Sequence, residues 1–233
     1  MVGNLDEFVK HYEMNLEKYR SFERDLKSLL ERLLNGEQIE FFAIESRCKT
    51  VDRIREKALR KDYEDPLSQM TDIVGLRVIV YYANDADRVV RIIRRYFFVD
   101  EEKSRIDKYD PNNIDRFGYK GTHLIVGLSD ERSRLPEWQR YADLKAEIQV
   151  RTVLEHAWAS VSHQLFYKPR KPNPQLPPAA MRRLNRAMAL LETVDEEFVN
   201  LRGSVEEAAV ATEGQFEADP GGATMPSLSP SKF

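Results

Sequence analysis

The sequence predicts an α+β fold in which a mixed sheet of about five strands is flanked by helices. Residues 73–82 are rich in β-branched side chains, which is typical of a core strand. From Leu144 to Arg151 apolar and polar residues alternate strictly, so this segment is predicted to be a strand with one buried face. Long segments near both ends keep apolar residues at helical spacing, which predicts helices that border the sheet.

The individual elements follow from the same periodicities and from the turn residues between them. In chain order we predict a helix over 5–34, a strand over 41–46, a helix over 50–61, a strand over 73–82, a helix over 85–97, strands over 122–128 and 144–151, and a helix over 154–165. Gly36 ends the first helix, whose apolar side we expect to pack on the core. Prolines between residues 169 and 178 then break the chain. A last helical region over 179–211 is predicted with a break near Gly203, and the Gly/Pro/Ser-rich residues from 214 onward are predicted to be disordered.

These elements divide the chain into four predicted units. They are an N-terminal amphipathic helix over 1–36, a central α+β domain over 37–170, a C-terminal helical region over 171–212 and a disordered tail over 213–233. The polar clusters that could carry chemistry all fall in the central domain.

The composition excludes several classes of protein. Among 233 residues the net charge is −3, which argues against a protein whose main work is to coat nucleic acid. A single cysteine, Cys48, rules out an internal disulfide framework and fits a reducing compartment. No apolar run approaches the roughly 20 residues that span a bilayer. The N-terminus is acidic and amphipathic, without the apolar stretch of a secretory leader, so we expect no secretory signal. We expect a cytoplasmic protein with no membrane partner, and we expect it to form a homo-oligomer.

A basic cluster surrounds the end of the first predicted strand. Arg47 and Lys49 share one side of an extended segment, and Arg53 and Lys57 lie four residues apart on one helix face. Four cations that converge would repel each other unless an anion joins them, and a polyphosphate is the natural ligand. A solvated basic helix is the alternative interpretation.

Carboxylates mark two of the predicted strands. Asp72 directly precedes the strand that carries Arg77, and Glu147 shares the polar face of a later strand with Gln149 and Arg151. Magnesium takes one or two carboxylates and leaves its other positions to water and phosphate oxygens. The pair therefore predicts a Mg²⁺–nucleotide site, although Asp72 alone could equally cap a turn.

A tyrosine between glycines opens the strand over 122–128. Tyr119, Gly121 and His123 share one face, and an exposed ring beside glycines leaves room for a base to stack. The sequence contains no G-x-x-x-x-G-K-[ST] loop, no G-x-G-x-x-G and no G-x-S-x-G elbow. If nucleotides bind, cationic side chains must hold their phosphates.

Taken in order, these residues resemble the synthetase domain of the RelA/SpoT family, in the short form called small alarmone synthetases. The resemblance covers about residues 38–170 and rests on Arg47-x-Lys49 with Lys57, Asp72-x-x-Gly75-x-Arg77, Gly118-Tyr119 with His123, Glu147-Ile148-Gln149-Val150-Arg151-Thr152, Trp158-Ala159 with His163, and Tyr167-Lys168. Two positions depart from the family pattern: Arg53 stands where Ser is usual, and Asp115 stands where Lys is frequent.

The resemblance implies a nucleotidyltransferase-like fold and a (p)ppGpp synthetase. Such an enzyme moves the β,γ-pyrophosphate of ATP to the 3′-OH of GDP or GTP with the help of Mg²⁺. Asp72 and Glu147 would hold the metal, and Glu147 could instead take the proton of the hydroxyl. The ATP side is assigned to Arg47, Lys49, Arg53, Lys57 and Arg77. The acceptor side is assigned to Tyr119, which would stack on guanine, and to His123, Gln149, Arg151, His163 and Lys168.

Two other functions stay open at this point. One is a toxin of the same superfamily that modifies an adenine nucleotide or the 3′ end of a tRNA, for which Arg88, Arg91, Arg94 and Arg95 could form a small RNA-binding patch. The other is a catalytically weak nucleotide-binding or oligomerising module. The family's hydrolase half depends on a His-Asp dipeptide, and this sequence has none, so we expect synthesis without hydrolysis.

Overall fold

The computed structural model describes residues 2–61, 63, 65–106, 121–166 and 177–218. Within these ranges the helices are α1 (Val2–Gly36), α2 (Val51–Lys61), α3 (Pro66–Gln69), α4 (Ala83–Tyr96), α5 (Asp130–Ser133), α6 (Val153–Phe166) and α7 (Pro178–Ala218), with a 3₁₀ turn at Gln139–Tyr141. The strands in the same ranges are β1 (Phe41–Cys48), β2 (Val74–Val80), β3 (Phe97–Val99), β4 (Arg105–Ile106), β5 (Thr122–Leu128) and β6 (Ala146–Thr152). The predicted α+β fold with a mixed sheet is confirmed.

The strands form one mixed sheet in the order β1-β2-β6-β5-β3, and β4 pairs with β5 beside β3. Strands β2 and β6 run parallel, while β1 and β5 pair antiparallel on either side of them. The two strands that carry the most polar residues are therefore neighbours at the centre of the sheet. This pairing brings segments more than 70 residues apart in sequence into direct register, as in the pair Gly75 and Glu147.

Helix α1 supplies one wall of the core. Its Tyr12, Leu26, Leu30 and Leu34 side chains are fully buried, and the helix packs on β1, β2 and α2. The buried face matches the helical spacing of its apolar residues, so the expectation that this helix packs on the core is confirmed.

Helix α7 corrects two boundaries predicted from the sequence. It runs without interruption from Pro178 to Ala218, so the predicted break near Gly203 is wrong, and the helix continues past the boundary placed at residue 212. A single glycine costs a helix only about 1 kcal/mol relative to alanine, and Leu201 and Arg202 just before it are good helix formers. Two polar contacts hold α7 on the domain: Thr152 Oγ1 donates to Asp195 Oδ2 at 2.7 Å, and Arg202 Nη1 donates to Asp85 Oδ2 at 2.6 Å.

Helix α6 buries less of its apolar side than its spacing predicts. Trp158 is only 9% exposed and its ring N–H points at the Leu184 carbonyl oxygen of α7, but Val161 and Leu165 are 57% and 66% exposed. The first half of the helix packs under α7, whereas the second half extends beyond that contact. No helix in the described ranges combines the length and the apolarity needed to cross a membrane.

Candidate active site

The register of the three strands β1, β2 and β6 assembles a polar face. Arg47 pairs with Gly75, and Gly75 pairs with Glu147, so these three residues form one row across the sheet. A second row runs through Arg77 and Gln149 to His123 on β5. Side chains two residues apart on a strand point to the same face. At Gly75 a Cβ atom would lie 3.8 Å from Arg47 Nε, so the arginine side chain extends over the glycine.

Asp72 lies just before β2 and is held by two lysines. Its Oδ2 atom is 2.8 Å from Lys49 Nζ and 2.6 Å from Lys57 Nζ, and Lys49 also donates to the Asp72 carbonyl oxygen at 2.6 Å. The other carboxylate oxygen, Oδ1, is buried and has no hydrogen-bond partner among the described residues. One carboxylate therefore anchors two cations that come from the end of β1 and from the middle of α2.

Opposing effects act on the charges of this cluster. Burial alone would raise the pKa of Asp72, but the hydrogen bonds from Lys49 and Lys57 outweigh it and lower that pKa. Burial lowers the pKa of Lys49, with smaller contributions in the same direction from nearby Lys57 and Arg47 and an opposing one from Asp72. The cations are crowded enough to repel one another, as the sequence indicated, and a carboxylate of the protein provides part of the compensating charge.

Glu147 occupies the centre of the polar face on β6. His123 Nδ1 lies 2.8 Å from its Oε1, and Gln149 Nε2 donates to its Oε2 at 3.1 Å. Burial would raise the pKa of Glu147, but the hydrogen bond and charge of His123 and the bond from Gln149 lower it. Because the carboxylate is ionised, His123 is the donor in their contact.

A pair of arginines fixes the orientation of Gln149. Its Oε1 accepts from Arg151 Nη2 at 2.8 Å and from Arg77 Nε at 3.4 Å, which turns its amide nitrogen toward Glu147. Arg151 is 6% exposed, and burial together with the charge of Arg77 lowers its pKa to about 10. Glu45 on β1 accepts from Arg77 Nη1 at 2.8 Å, so a polar chain crosses four strands from Glu45 to His123.

Apart from Glu45, this arrangement lies within the part of the chain that matches a known family. The sequence model described as "Region found in RelA / SpoT proteins" matches residues 46–172, which is more than half of the chain. This chain belongs to the RelA/SpoT family. The matched region includes β2, β5, β6 and α6, together with every side chain of the Asp72 and Glu147 clusters.

Individual relatives in the RelA/SpoT family match over nearly their full length. The GTP pyrophosphokinase YjbM of Bacillus subtilis strain 168 is 29% identical over 213 residues, which are 88% of this chain and 92% of the relative. The crystal structure of small alarmone synthetase 1 from Bacillus subtilis bound to its product pppGpp has a TM-score of 0.65 and 29% identity, covering 85% of this chain and 99% of that one. The same synthetase bound to AMPCPP has a TM-score of 0.60 and 28% identity, with 85% and 99% covered.

Several site residues expected from the sequence are exposed or lie outside the described residues. Arg53 is largely exposed and pairs with Glu56 of the next helical turn at 2.8 Å, so it does not join Lys57 at Asp72. The i,i+4 spacing put both side chains on one face, but a closer acid competes for Arg53. His163 is exposed on the second half of α6. Tyr119 and Lys168 lie outside the described residues.

Two members of the polar face were missed by the sequence reasoning. Glu45 precedes Arg47 by two positions, so period two already placed it on the same strand face. His156 is half-buried on α6; burial lowers its pKa, and the nearby charges of Arg77 and Arg151 lower it further while Glu45 opposes them. No local signal separated His156 from His163, because both face away from the apolar side of the same helix.

The carboxylates fit the requirements of magnesium. The described residues contain no group of three or more His, Cys, Asp or Glu side chains that could hold a metal ion. Asp72 and Glu147 are close enough for their charges to interact, and Asp72 Oδ1 has unused acceptor capacity. Magnesium is usually held by one or two carboxylates plus substrate phosphates, so this donor set suits a metal that arrives with a nucleotide.

Proposed function

We propose that this chain is a (p)ppGpp synthetase that transfers the β,γ-pyrophosphate of ATP to the 3′-OH of GDP or GTP. One observation carries the proposal: a lysine-bound carboxylate, Asp72, and a second ionised carboxylate, Glu147, lie near enough for their charges to interact, in the region that matches the RelA/SpoT family. The relatives named above, a GTP pyrophosphokinase and a synthetase bound to pppGpp, support the same activity.

The reaction is a phosphoryl-type displacement in which one P–O bond forms and another breaks. The 3′ oxygen of the acceptor forms a bond to the β-phosphorus of ATP, and the bond from that phosphorus to the α,β-bridging oxygen breaks. AMP leaves, and the proton of the 3′-OH passes to a base or to water. Catalysis of this kind depends on positioning and on charge neutralisation more than on covalent chemistry.

The ATP side of the site is assigned to the basic cluster at Asp72. Arg47, Lys49 and Lys57 provide three cations that the sheet and α2 direct to one place, and phosphate oxygens are their natural ligands. Asp72 and Glu147 would hold Mg²⁺. When bound, the metal would neutralise charge that builds up on the transferring phosphates.

The acceptor side is assigned to the Glu147 row and to Tyr119. Glu147 has a lowered pKa, so it is ionised at neutral pH but is a weak proton acceptor. Its charge therefore favours the metal-holding role over the role of general base, which works best with a pKa near the operating pH. We assign guanine stacking to Tyr119, and the positioning of the acceptor and its phosphates to His123, Gln149, Arg151, His163 and Lys168.

The test is a direct assay of product with several acceptors. Purified protein is incubated with Mg²⁺, ATP labelled in the β-phosphate, and GDP, GTP, ADP or tRNA in separate reactions. Label in ppGpp or pppGpp together with stoichiometric AMP supports the proposal. Label in an adenine nucleotide or in tRNA would instead support the toxin class, and no transfer to any acceptor would leave a binding module. The homo-oligomer expected from the sequence stays a prediction, which light scattering of the same preparation would check.

A further inference from the structure

We infer that Lys49 and Lys57 block the binding of free Mg²⁺ to the Asp72 carboxylate. The metal would then bind only together with ATP, whose triphosphate draws the two lysines away from Asp72. This inference rests on the proposed function. It goes beyond that function because it makes metal binding and ATP binding mutually dependent, and it assigns the coupling to two lysines.

Neither oxygen of Asp72 is open to an ion that arrives from solvent, although Oδ1 keeps an unused acceptor position. Oδ2 is contacted by Lys57 Nζ at 2.6 Å and by Lys49 Nζ at 2.8 Å, while Oδ1 is buried. Magnesium needs a carboxylate oxygen at about 2.0–2.1 Å and demands near-ideal octahedral geometry. An ion at that distance from Oδ2 would lie beside two ammonium groups already bound to the same oxygen.

The balance of charge also disfavours binding of a bare divalent cation. Lys49, Lys57 and nearby Arg47 carry three positive charges, and Asp72 and Glu147 carry two negative charges. A bare divalent cation would add to a site that is already slightly positive. The magnesium complex of ATP carries a net negative charge, and its phosphate oxygens offer the lysines a better partner than one shared carboxylate.

Glu147 differs from Asp72 in its hydrogen-bond donors. Its oxygens accept from His123 and Gln149, at 2.8 and 3.1 Å, and neither donor is an ammonium group of the Asp72 cluster. The barrier to free metal therefore lies at Asp72. Lys57 is the better residue to change, because Lys49 also donates to the Asp72 carbonyl oxygen and so helps to hold the backbone.

The experiment measures Mn²⁺ binding by the electron paramagnetic resonance of the free ion, with and without AMPCPP, whose α,β-methylene bridge resists cleavage. Solution binding of Mn²⁺ to the analogue is subtracted. The full-length proteins are wild type, Lys57→Met, Lys49→Met as a second variant, and Arg60→Met as a control. Arg60 is an exposed cation in the last turn of the same helix. Circular dichroism melting identifies any variant that does not fold, and Asp72→Asn is combined with Lys57→Met.

We expect wild type and Arg60→Met to bind Mn²⁺ at least tenfold more tightly with AMPCPP than without it, within the usual range of allosteric coupling. Lys57→Met should bind Mn²⁺ alone at least tenfold more tightly than wild type, and Asp72→Asn should remove that gain. The inference is overturned if free wild type binds Mn²⁺ as tightly as Lys57→Met. It is also overturned if the gain survives Asp72→Asn, or if AMPCPP leaves Mn²⁺ binding unchanged.

The synthesis assay on the same wild-type preparation separates the two proposals. Synthesis of (p)ppGpp with no coupling between Mn²⁺ and AMPCPP would leave the proposed function standing and reject the role of the lysines. If the wild-type protein makes no (p)ppGpp but its coupling between Mn²⁺ and AMPCPP disappears in Lys57→Met, the role of the lysines stands and the proposed function is rejected.

Discussion

Replacing Glu147 with glutamine perturbs the centre of the proposed site while keeping the shape of the side chain. The carboxylate has two partners, His123 at 2.8 Å and Gln149 at 3.1 Å, and both donate hydrogen bonds to it. An amide offers one acceptor oxygen and one NH₂ group. In the variant the NH₂ group replaces one acceptor oxygen, so one of the two hydrogen bonds to a charged carboxylate is lost; His123 Nδ1 can accept from that NH₂ group only in its other tautomer.

These contacts determine how far Glu147→Gln should lower stability and activity. Hydrogen bonds to charged groups contribute about 1.5–3 kcal/mol, so loss of one is partly offset by relief of the burial cost of Glu147 and of its repulsion by Asp72. A net loss of about 1 kcal/mol lowers the melting temperature of a chain of this length by about 2–4 °C. Activity should fall much further, by at least about 100-fold, because the variant loses the charge that a metal or a proton requires.

The assay compares (p)ppGpp synthesis and thermal unfolding in the same buffer for wild type, Glu147→Gln and Glu137→Gln. Glu137 is an exposed acid in the segment before the 3₁₀ turn, away from the polar face, and its variant should match wild type in both measurements. Retention of activity within threefold of wild type by Glu147→Gln would refute the reasoning. A fall in melting temperature above about 10 °C would instead show that Glu147 acts mainly in holding the fold.

Three further predictions concern Tyr119, Asp72 and Asp195. Tyr119→Ala should raise the KM of the acceptor about 5- to 150-fold, the equivalent of one stacked base, while Tyr119→Phe stays near wild type; equal rises for ATP and acceptor would mean a structural role. Asp72→Asn should abolish activity at every Mg²⁺ concentration, because an amide oxygen is a poor magnesium ligand; a normal Mg²⁺ titration would contradict this. Burial raises the pKa of Asp195, so the folded protein holds that proton more tightly than the unfolded chain. The cost of the buried carboxylate is then present at neutral pH and vanishes as pH falls through the raised pKa. Asp195→Asn, which keeps an acceptor for Thr152, should melt no lower than wild type at pH 7, with a difference that shrinks toward about pH 4; a lower melting point at pH 7 would contradict the sign.

The parts of the site that sequence could predict are those determined by local periodicity. The alternation along β6 placed Glu147, Gln149 and Arg151 on one face, and the structure places them there. The partners of these residues could not be predicted in the same way. That His123 would lie opposite Gln149 depends on the register of β5 against β6, which long-range pairing determines.

Competition between neighbouring charges explains other differences. Arg53 and Lys57 share a helix face by spacing, yet Glu56 captures the arginine at 2.8 Å and Asp72 captures the lysine at 2.6 Å. Helical spacing gives the direction of a side chain but not its choice between two acids within reach. The uninterrupted course of α7 through Gly203 has a different cause: one glycine costs a helix only about 1 kcal/mol, and contacts at Asp195 and Arg202 hold the helix before it.

The arginines of α4 bear on the identity of the acceptor. A tRNA-modifying enzyme needs several phosphate contacts outside the catalytic site, and such binding weakens steeply with salt. The pairs in the structure are Arg88 with Asp85 at 3.0 Å, Arg94 with Glu101 at 3.0 Å and Arg95 with Glu37 at 3.6 Å. Each of these three cations already has an acid of the protein beside it, so an RNA phosphate would have to displace a carboxylate at three of the four arginines. The cations around Asp72 differ, because they outnumber the acids there and are directed to one place. A compact polyphosphate fits that distribution of charge better than the backbone of a tRNA does.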